Sequence, residues 1–303
     1  ADMRVRFLQL GRLVQQVLAE AKAAGLAGFD LLERVFVEQY RINAETGELE
    51  AIPSREISAR SVQNPNDPEA TYRNKNGEDV RGYTHNVTET CDDEDKATTA
   101  SGKKIRKPKL IVHVEVEPAS TPDTQLFEGG VKGSEDVTGQ KPESVTSDGG
   151  YQSAGNQEFA DGEDIEAVFT GFQGKKGAYD LELSPDGKSL EATRTDTGEK
   201  LPTSMTKGGS WRIEDTKDGK KHVRYIKPES VAAAMRRKAQ EAIPKAKRWL
   251  RNNVEATMFQ LTFHTRNNKT RYRGLMKQKI FALSRCLWVN HVRLALFEQR
   301  MAS

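Results

Sequence analysis

The sequence predicts a mixed α/β fold that carries a small antiparallel β insertion. Three observations predict it. Residues 110–116 alternate Leu110, Val112, Val114 and Val116 against Ile111, His113 and Glu115, the period of two of a strand. Residues 143–172 read as strand, turn, helix and strand, an order that suits parallel pairing. Residues 174–225 break into short β-prone segments (179–183, 189–193, 211–214 and 222–226) separated by Pro-Asp-Gly, Thr-Gly-Glu, Gly-Gly-Ser and Lys-Asp-Gly turns.

In order along the chain, Phe7, Leu10, Val14, Val17, Leu18 and Ala21 recur at helical spacing over residues 4–24, with Gly25 as the stop. A second helix is expected over 30–41, with Leu31, Leu32, Val35 and Phe36 on its apolar side. Residues 44–79 are polar and turn-rich and read as an irregular excursion. Strands follow at 80–91 and 110–116, joined as a hairpin with a long exposed tip; His85 and His113 read as strand residues. Residues 120–141 are Gly-rich and weakly patterned, a poor helix at best. A short strand over 143–147 ends at Asp148, a helix fits 153–160, and a further strand fits 165–172. After the insertion, Pro228 opens a helix to about 242 that Pro244 interrupts. Residues 245–263 form the next helix, 267–270 a turn, and 275–300 a long final helix.

The 303 residues fit one large domain or two small ones, with a formal net charge of +3 and a mean hydropathy of −0.72. Cys91 and Cys286 lack metal-site spacing and read as reduced thiols of a reducing cytoplasm, without zinc. No signal peptide is evident, and no apolar run is expected to reach the roughly 18 residues of a membrane span. The small net charge hides an asymmetry. From Lys245 onward basic residues dominate and the acids are Glu255 and Glu298. Such segregation favours a phosphate-backbone partner, although a solvated basic surface gives the same composition.

Two carboxylates stand out. Asp148 lies at the carboxyl end of a strand, where α/β folds gather ligand groups, and Gly149-Gly150 lets the chain turn beside it. An Asp-Gly-Gly turn alone is ordinary. Glu255 lies beside the stripe Leu250, Val254, Met258 and Leu261, with Arg251 and Arg248 on its side of the helix. An exposed Glu–Arg pair is the plainer reading of that spacing. Carboxylates converging from separate elements suit Mg²⁺ or Mn²⁺ and phosphoryl transfer.

The run from Glu143 to Asn156, Glu-Ser-Val-Thr-Ser-Asp-Gly-Gly-Tyr-Gln-Ser-Ala-Gly-Asn, resembles the strand–Asp–Gly-Tyr–helix element holding the second acid of insertion-sequence DDE transposases. Arg251-x-x-x-Glu255, followed by Arg271-Tyr-Arg-Gly and a hydrophobic helix, resembles their C-terminal signature. The segment Asn64-Pro-Asn-Asp-Pro-Glu-Ala, with Arg81-Gly-Tyr-Thr-His beyond it, and Asp123 in Thr-Pro-Asp-Thr, resemble further parts of the same pattern. Positions 248 and 262, Arg and Thr here, depart from the family's Tyr and Lys. The resemblance implies a ribonuclease-H-like mixed sheet flanked by helices, with Asp148 and Glu255 as metal ligands for Mg²⁺ (or Mn²⁺). It implies Arg248, Arg251, Arg271 and Arg273 as DNA contacts. It also implies DNA cleavage and strand transfer on double-stranded transposon ends and target, by a bacterial cytoplasmic protein that dimerises at full length and needs no membrane.

The family's first aspartate belongs on an opening strand that would lie just before Ala1; Asp2 has neither a strand before it nor a Thr after it. The expectation is therefore a transposase fragment without its first metal ligand, and inactive. The alternative is a non-catalytic DNA-binding remnant. On the same reading the chain divides into a helical segment at 1–45, core strands with Asp148 at 46–172, the β insertion at 173–227 and C-terminal helices with Glu255 at 228–303.

Overall fold

A computed structural model describes residues 2–75, 77–91, 96–171, 177–217, 219–263, 265 and 269–303. The fold is mixed α/β, with its strands distributed over several small sheets in two compact units.

The first unit comprises residues 1–122 and 257–303. Helices α1 (Met3–Ala24) and α2 (Phe29–Gln39) are joined through Gly25 and Gly28, both at positive φ where a side chain is disfavoured. Tyr40 fastens them: its ring stacks on Phe7 at 4.7 Å and its hydroxyl donates to the Phe7 carbonyl at 2.8 Å. Gly11 permits this approach, since a Cβ there would lie 2.5 Å from Tyr40 Cε1. A hairpin of β1 (Tyr40–Ile42) and β2 (Leu49–Ala51) follows. The main sheet is antiparallel, in the order β3 (Thr71–Lys75), β4 (Glu78–Glu89), β7 (Ile111–Pro118), with the hairpin β5 (Lys96–Thr98) and β6 (Lys104–Arg106) between β4 and β7 in sequence.

Val87, Ile111 and Val114 of that sheet pack on Met258 and Leu261 of α7 (Arg251–Thr262) and on Cys286 and Val289 of α8 (Leu275–Ala302). Polar locks fix α8. Asp67 Oδ1 accepts from the Gly274 amide at 3.1 Å and Glu69 Oε2 from the Leu275 amide at 2.8 Å, so the Asp-Pro-Glu-Ala run caps the helix N-terminus with carboxylates. Asn290 brackets the backbone of Ile111, accepting from its amide and donating to its carbonyl, both at 2.8 Å. Glu89, its side chain 1% exposed, accepts from Arg293 at 3.1 Å and from Thr257 at 2.5 Å.

The second unit comprises residues 123–256. After α3 (Phe127–Thr138), strand β8 (Ser144–Asp148), helix α4 (Ala154–Gly162) and strand β9 (Glu166–Thr170) form a βαβ unit. Its strands pair in parallel from Ser144↔Glu166 to Asp148↔Thr170. Phe127, Val131, Ala160, Ile165, Ala167 and Phe169 form the core beneath them. The insertion is two three-stranded antiparallel sheets. One holds β10 (Tyr179–Leu183), β11 (Leu190–Arg194) and β12 (Lys200–Leu201); the other holds β13 (Thr203–Met205), β14 (Trp211–Lys217) and β15 (Lys220–Ile226). Leu181, Leu190, Ala192, Trp211 and Ile213 close together with Val231 of α5 (Pro228–Ala242). Helix α6 (Lys245–Trp249) then leads into α7.

Several expectations are corrected. The excursion at 44–79 contains β2 and β3, and the helix expected to reach residue 41 stops at Gln39 because Tyr40 turns extended to start β1. The weakly patterned stretch holds a regular helix, α3, which buries Gly130 alongside Phe127 and Val131. The single helix at 245–263 is two, separated at Leu250. Phe172, the end of one expected strand, and residues 267 and 268 of the expected turn lie outside the described residues. Helix α8 is long and apolar enough to cross a membrane by length and composition, contrary to the expectation from the sequence. It buries Gln278, Ala282, Cys286 and Val289 and pairs Lys279 with Glu117 and Arg293 with Glu89, the contacts of a helix packed on a sheet.

Candidate functional site

Strand β8 ends on Asp148, and each following residue has a part in fixing it. Gly149–Tyr151 makes one 3₁₀ turn. Neither Gly149 nor Gly150 adopts positive φ, so the turn uses their small size rather than a left-handed backbone. Ser153 caps α4 by accepting from the Asn156 amide at 3.1 Å. Buried Asn156 donates to the carbonyls of Tyr151 at 2.7 Å and Thr124 at 2.9 Å, tying the turn to the segment before α3. On its other side, β8 is held in register by β9. Strand β9 is fixed in turn by Gln240 of α5, which accepts from the Phe169 amide at 2.9 Å and donates to the Ala167 carbonyl at 3.0 Å. Lys247 of α6 reaches both carboxylate oxygens of Glu166 at the start of β9.

Glu255 comes from the first turns of α7 and belongs to the same unit as Asp148. Arg251 joins the two. Its Nη1 lies 3.9 Å from Asp148 Oδ1, and its Nη2 donates to Glu255 Oε1. The side chains of Arg251, Asp148 and Glu255 are 34%, 44% and 58% exposed. Solvent therefore weakens both pairs, and the guanidinium can be displaced from either. The Arg248 side chain has no hydrogen-bond or ion-pair partner among the described residues, and its Nε is buried. Ser147 Oγ, next to Asp148, is also buried without a partner among the described residues. Arg271 and Arg273 belong to the first unit, on the exposed segment leading into α8, with no partner among the described residues.

No protein-family model, curated protein or solved structure matches the chain.

The chemistry of the site therefore rests on its own donors. Two carboxylates face one cationic group, so the space between them already accepts positive charge. Oxygen donors of this type suit a hard divalent cation, with water or phosphate oxygens completing its coordination. Among the described residues no cluster of three His, Cys, Asp or Glu side chains could hold a metal. Asp148 and Glu255 thus fit one cation bound through two carboxylates, whereas a two-metal clamp calls for a further acid. His85 and His113 lie on β4 and β7, paired with Val116 and Thr88 respectively. Burial holds the His85 imidazole below its usual pKa, opposed by a hydrogen bond with Gln278. Residues that sequence reasoning missed are the positioning amides Gln240 and Asn290; a buried amide on a helix otherwise apolar toward the core is the only signal they leave.

Proposed function

We propose that the chain is a transposase catalytic region of the DDE type. The reaction of a complete site of this type would be divalent-cation-dependent phosphoryl transfer on DNA, hydrolytic cleavage at transposon ends and then strand transfer by the freed 3′-hydroxyl; with Asp148 and Glu255 but no first aspartate, this chain is expected to be inactive by itself. The observation that carries the reading is the sharing of Arg251 by Asp148 and Glu255, which come from a strand end and a helix separated by the whole β insertion. Chain order supports the ribonuclease-H-like reading as well: an antiparallel sheet (β3–β4–β7) precedes a strand ending on an acid and its parallel neighbour (β8, β9), and a helix bearing the other acid follows.

In this reading Asp148 and Glu255 hold Mg²⁺ or Mn²⁺, which when bound neutralises charge at phosphorus and acidifies the attacking water. Asp148 is the fixed member, aimed by the β8–β9 pairing and the Asn156 lock. Arg251 stands between the acids and can pass to a phosphate, for which its planar fork of donors is suited. Arg248, Arg271 and Arg273 supply further guanidiniums for the DNA backbone. The test is incubation of the purified chain with DNA carrying the element's ends and Mg²⁺ or Mn²⁺. Nicking or strand transfer that D148A abolishes supports the family reading and overturns the expected inactivity, and cleavage that persists in D148A refutes the family reading.

A second reading, a DNA-binding protein without catalysis, is favoured by a donor set of two carboxylates and by the side chains of Arg248, Arg271 and Arg273, which have no partner among the described residues. It predicts salt-dependent DNA binding with no cation-dependent cleavage.

A further inference from the structure

We propose that Arg251 is a built-in counter-cation. It keeps the place between Asp148 and Glu255 until a phosphate of bound nucleic acid draws it away, so that divalent cation and polyanion bind cooperatively. This rests on the reading of Asp148 and Glu255 as cation ligands.

The geometry gives the reason. One guanidinium contacts both carboxylates, through Nη1 on Asp148 and Nη2 on Glu255, and so occupies the electrostatic position a divalent cation would take. A cation entering beside it meets a unit positive charge and loses part of the attraction of both acids. Arg251 is not locked in place. Its side chain is 34% exposed, and no contact beyond the two carboxylates holds the guanidinium among the described residues. The carboxylates, at 44% and 58% exposed, are open to solvent and to an incoming ion.

A phosphate offers Arg251 a partner of equal geometry and greater charge. Once Arg251 turns to it, both carboxylates lose their counter-charge and bind a cation more tightly. Reciprocity then follows: a bound cation frees Arg251 for phosphate, so each ligand raises the affinity for the other by the same factor. A unit charge about 4 Å from a divalent cation in water changes its affinity by up to roughly thirtyfold, and the effect shrinks as salt screens it.

The experiment is Mn²⁺ titration of the full chain at low ionic strength, with free Mn²⁺ read by electron paramagnetic resonance. Wild type, R251Q, R251K, D148N and E255Q are each measured with and without a mixed-sequence DNA duplex, whose own Mn²⁺ uptake is common to all and is subtracted. The expected result is Mn²⁺ binding tighter by up to roughly thirtyfold in R251Q, with R251K close to wild type. The duplex tightens Mn²⁺ binding to wild type and leaves R251Q unchanged. If R251Q binds Mn²⁺ no better than wild type while D148N and E255Q bind poorly, the counter-cation role is wrong and the cation site stands. If D148N and E255Q bind like wild type, the cation site itself is wrong. Wild type alone also decides: Mn²⁺ uptake that the duplex leaves unchanged overturns the proposal, whatever the folding of the variants.

Discussion

Replacing Gln240 with Leu isolates one link between the fold and the site. The Gln240 side chain brackets β9, accepting from Phe169 and donating to Ala167, and the residue is 7% exposed. Leucine is of similar size, so the perturbation is chemical: a buried N–H and a buried C=O lose their partners together. Each orphaned group costs about 1–3 kcal/mol, so Gln240→Leu costs roughly 2–6 kcal/mol. The assay is urea denaturation followed by fluorescence of Trp211, which is buried in the core shared by the insertion and α5. Native-state hydrogen exchange at the Phe169 amide reads the bond itself. Gln240→Glu adds a signature that lost packing cannot mimic. Its ionised carboxylate accepts from Phe169 but meets the Ala167 carbonyl as a second acceptor, whereas the protonated form donates to it. The folded-state pKa of that Glu is then raised, so stability is greatest in acid and falls as pH rises above the unfolded value of about 4.3. An unchanged urea midpoint together with a protected Phe169 amide in Gln240→Leu would refute the reasoning.

The first unit offers parallel tests. Arg293→Met leaves Glu89 buried beside an apolar chain and is expected to destabilise by about 3–5 kcal/mol in thermal or urea unfolding, with Glu89→Gln recovering part of the loss in the double variant. His85, held below its usual pKa by burial, binds its proton more readily unfolded than folded. Stability is therefore full above about pH 6.5 and is lost as pH falls below it; His85→Gln flattens that slope in unfolding curves between pH 5 and 7. Burial raises the Cys286 thiol to about 11, while Cys91 is exposed, so iodoacetamide at pH 8 labels Cys91 in the native protein and Cys286 only after denaturation, as read by peptide mass.

What the sequence made legible follows from where each signal resides. Strands β4 and β7 announce themselves through β-branched alternation, and the parallel β8–β9 pair through the order of strand, turn, helix and strand, because these are local patterns. Strands β1 and β2 are three residues each, too short to carry a period, and depend on Tyr40 reaching α1. Helix α3 hides behind glycines that lower its propensity; its burial against Phe159 and Phe169 makes up the deficit through tertiary packing. At the site, the motifs singled out Asp148, Arg251 and Glu255, and geometry places them around one guanidinium. The bracketing by Gln240 and Asn290 leaves no periodic trace, since an amide's partner on a distant strand edge exists only in three dimensions.

The two acids are held with unequal firmness, and this predicts unequal roles. Asp148 ends a strand whose register is set by β9, whose following turn is tied by Asn156, and whose neighbour is fixed by Gln240 and Lys247. Glu255 projects from a helix with its side chain 58% exposed, and its one described side-chain partner is Arg251. Ordering a free carboxylate at a cation costs side-chain entropy that a pre-set carboxylate has already lost on folding. Asp148→Asn should therefore weaken Mn²⁺ binding more than Glu255→Gln does. Replacing Gln240 should weaken it too, without touching either acid, because the strand that aims Asp148 loosens. Calorimetric titration of the three variants decides the order. Equal losses from the two acid substitutions, with none from Gln240→Leu in protein that remains folded, would mean that the site is assembled by the cation itself rather than by the β8–β9 scaffold.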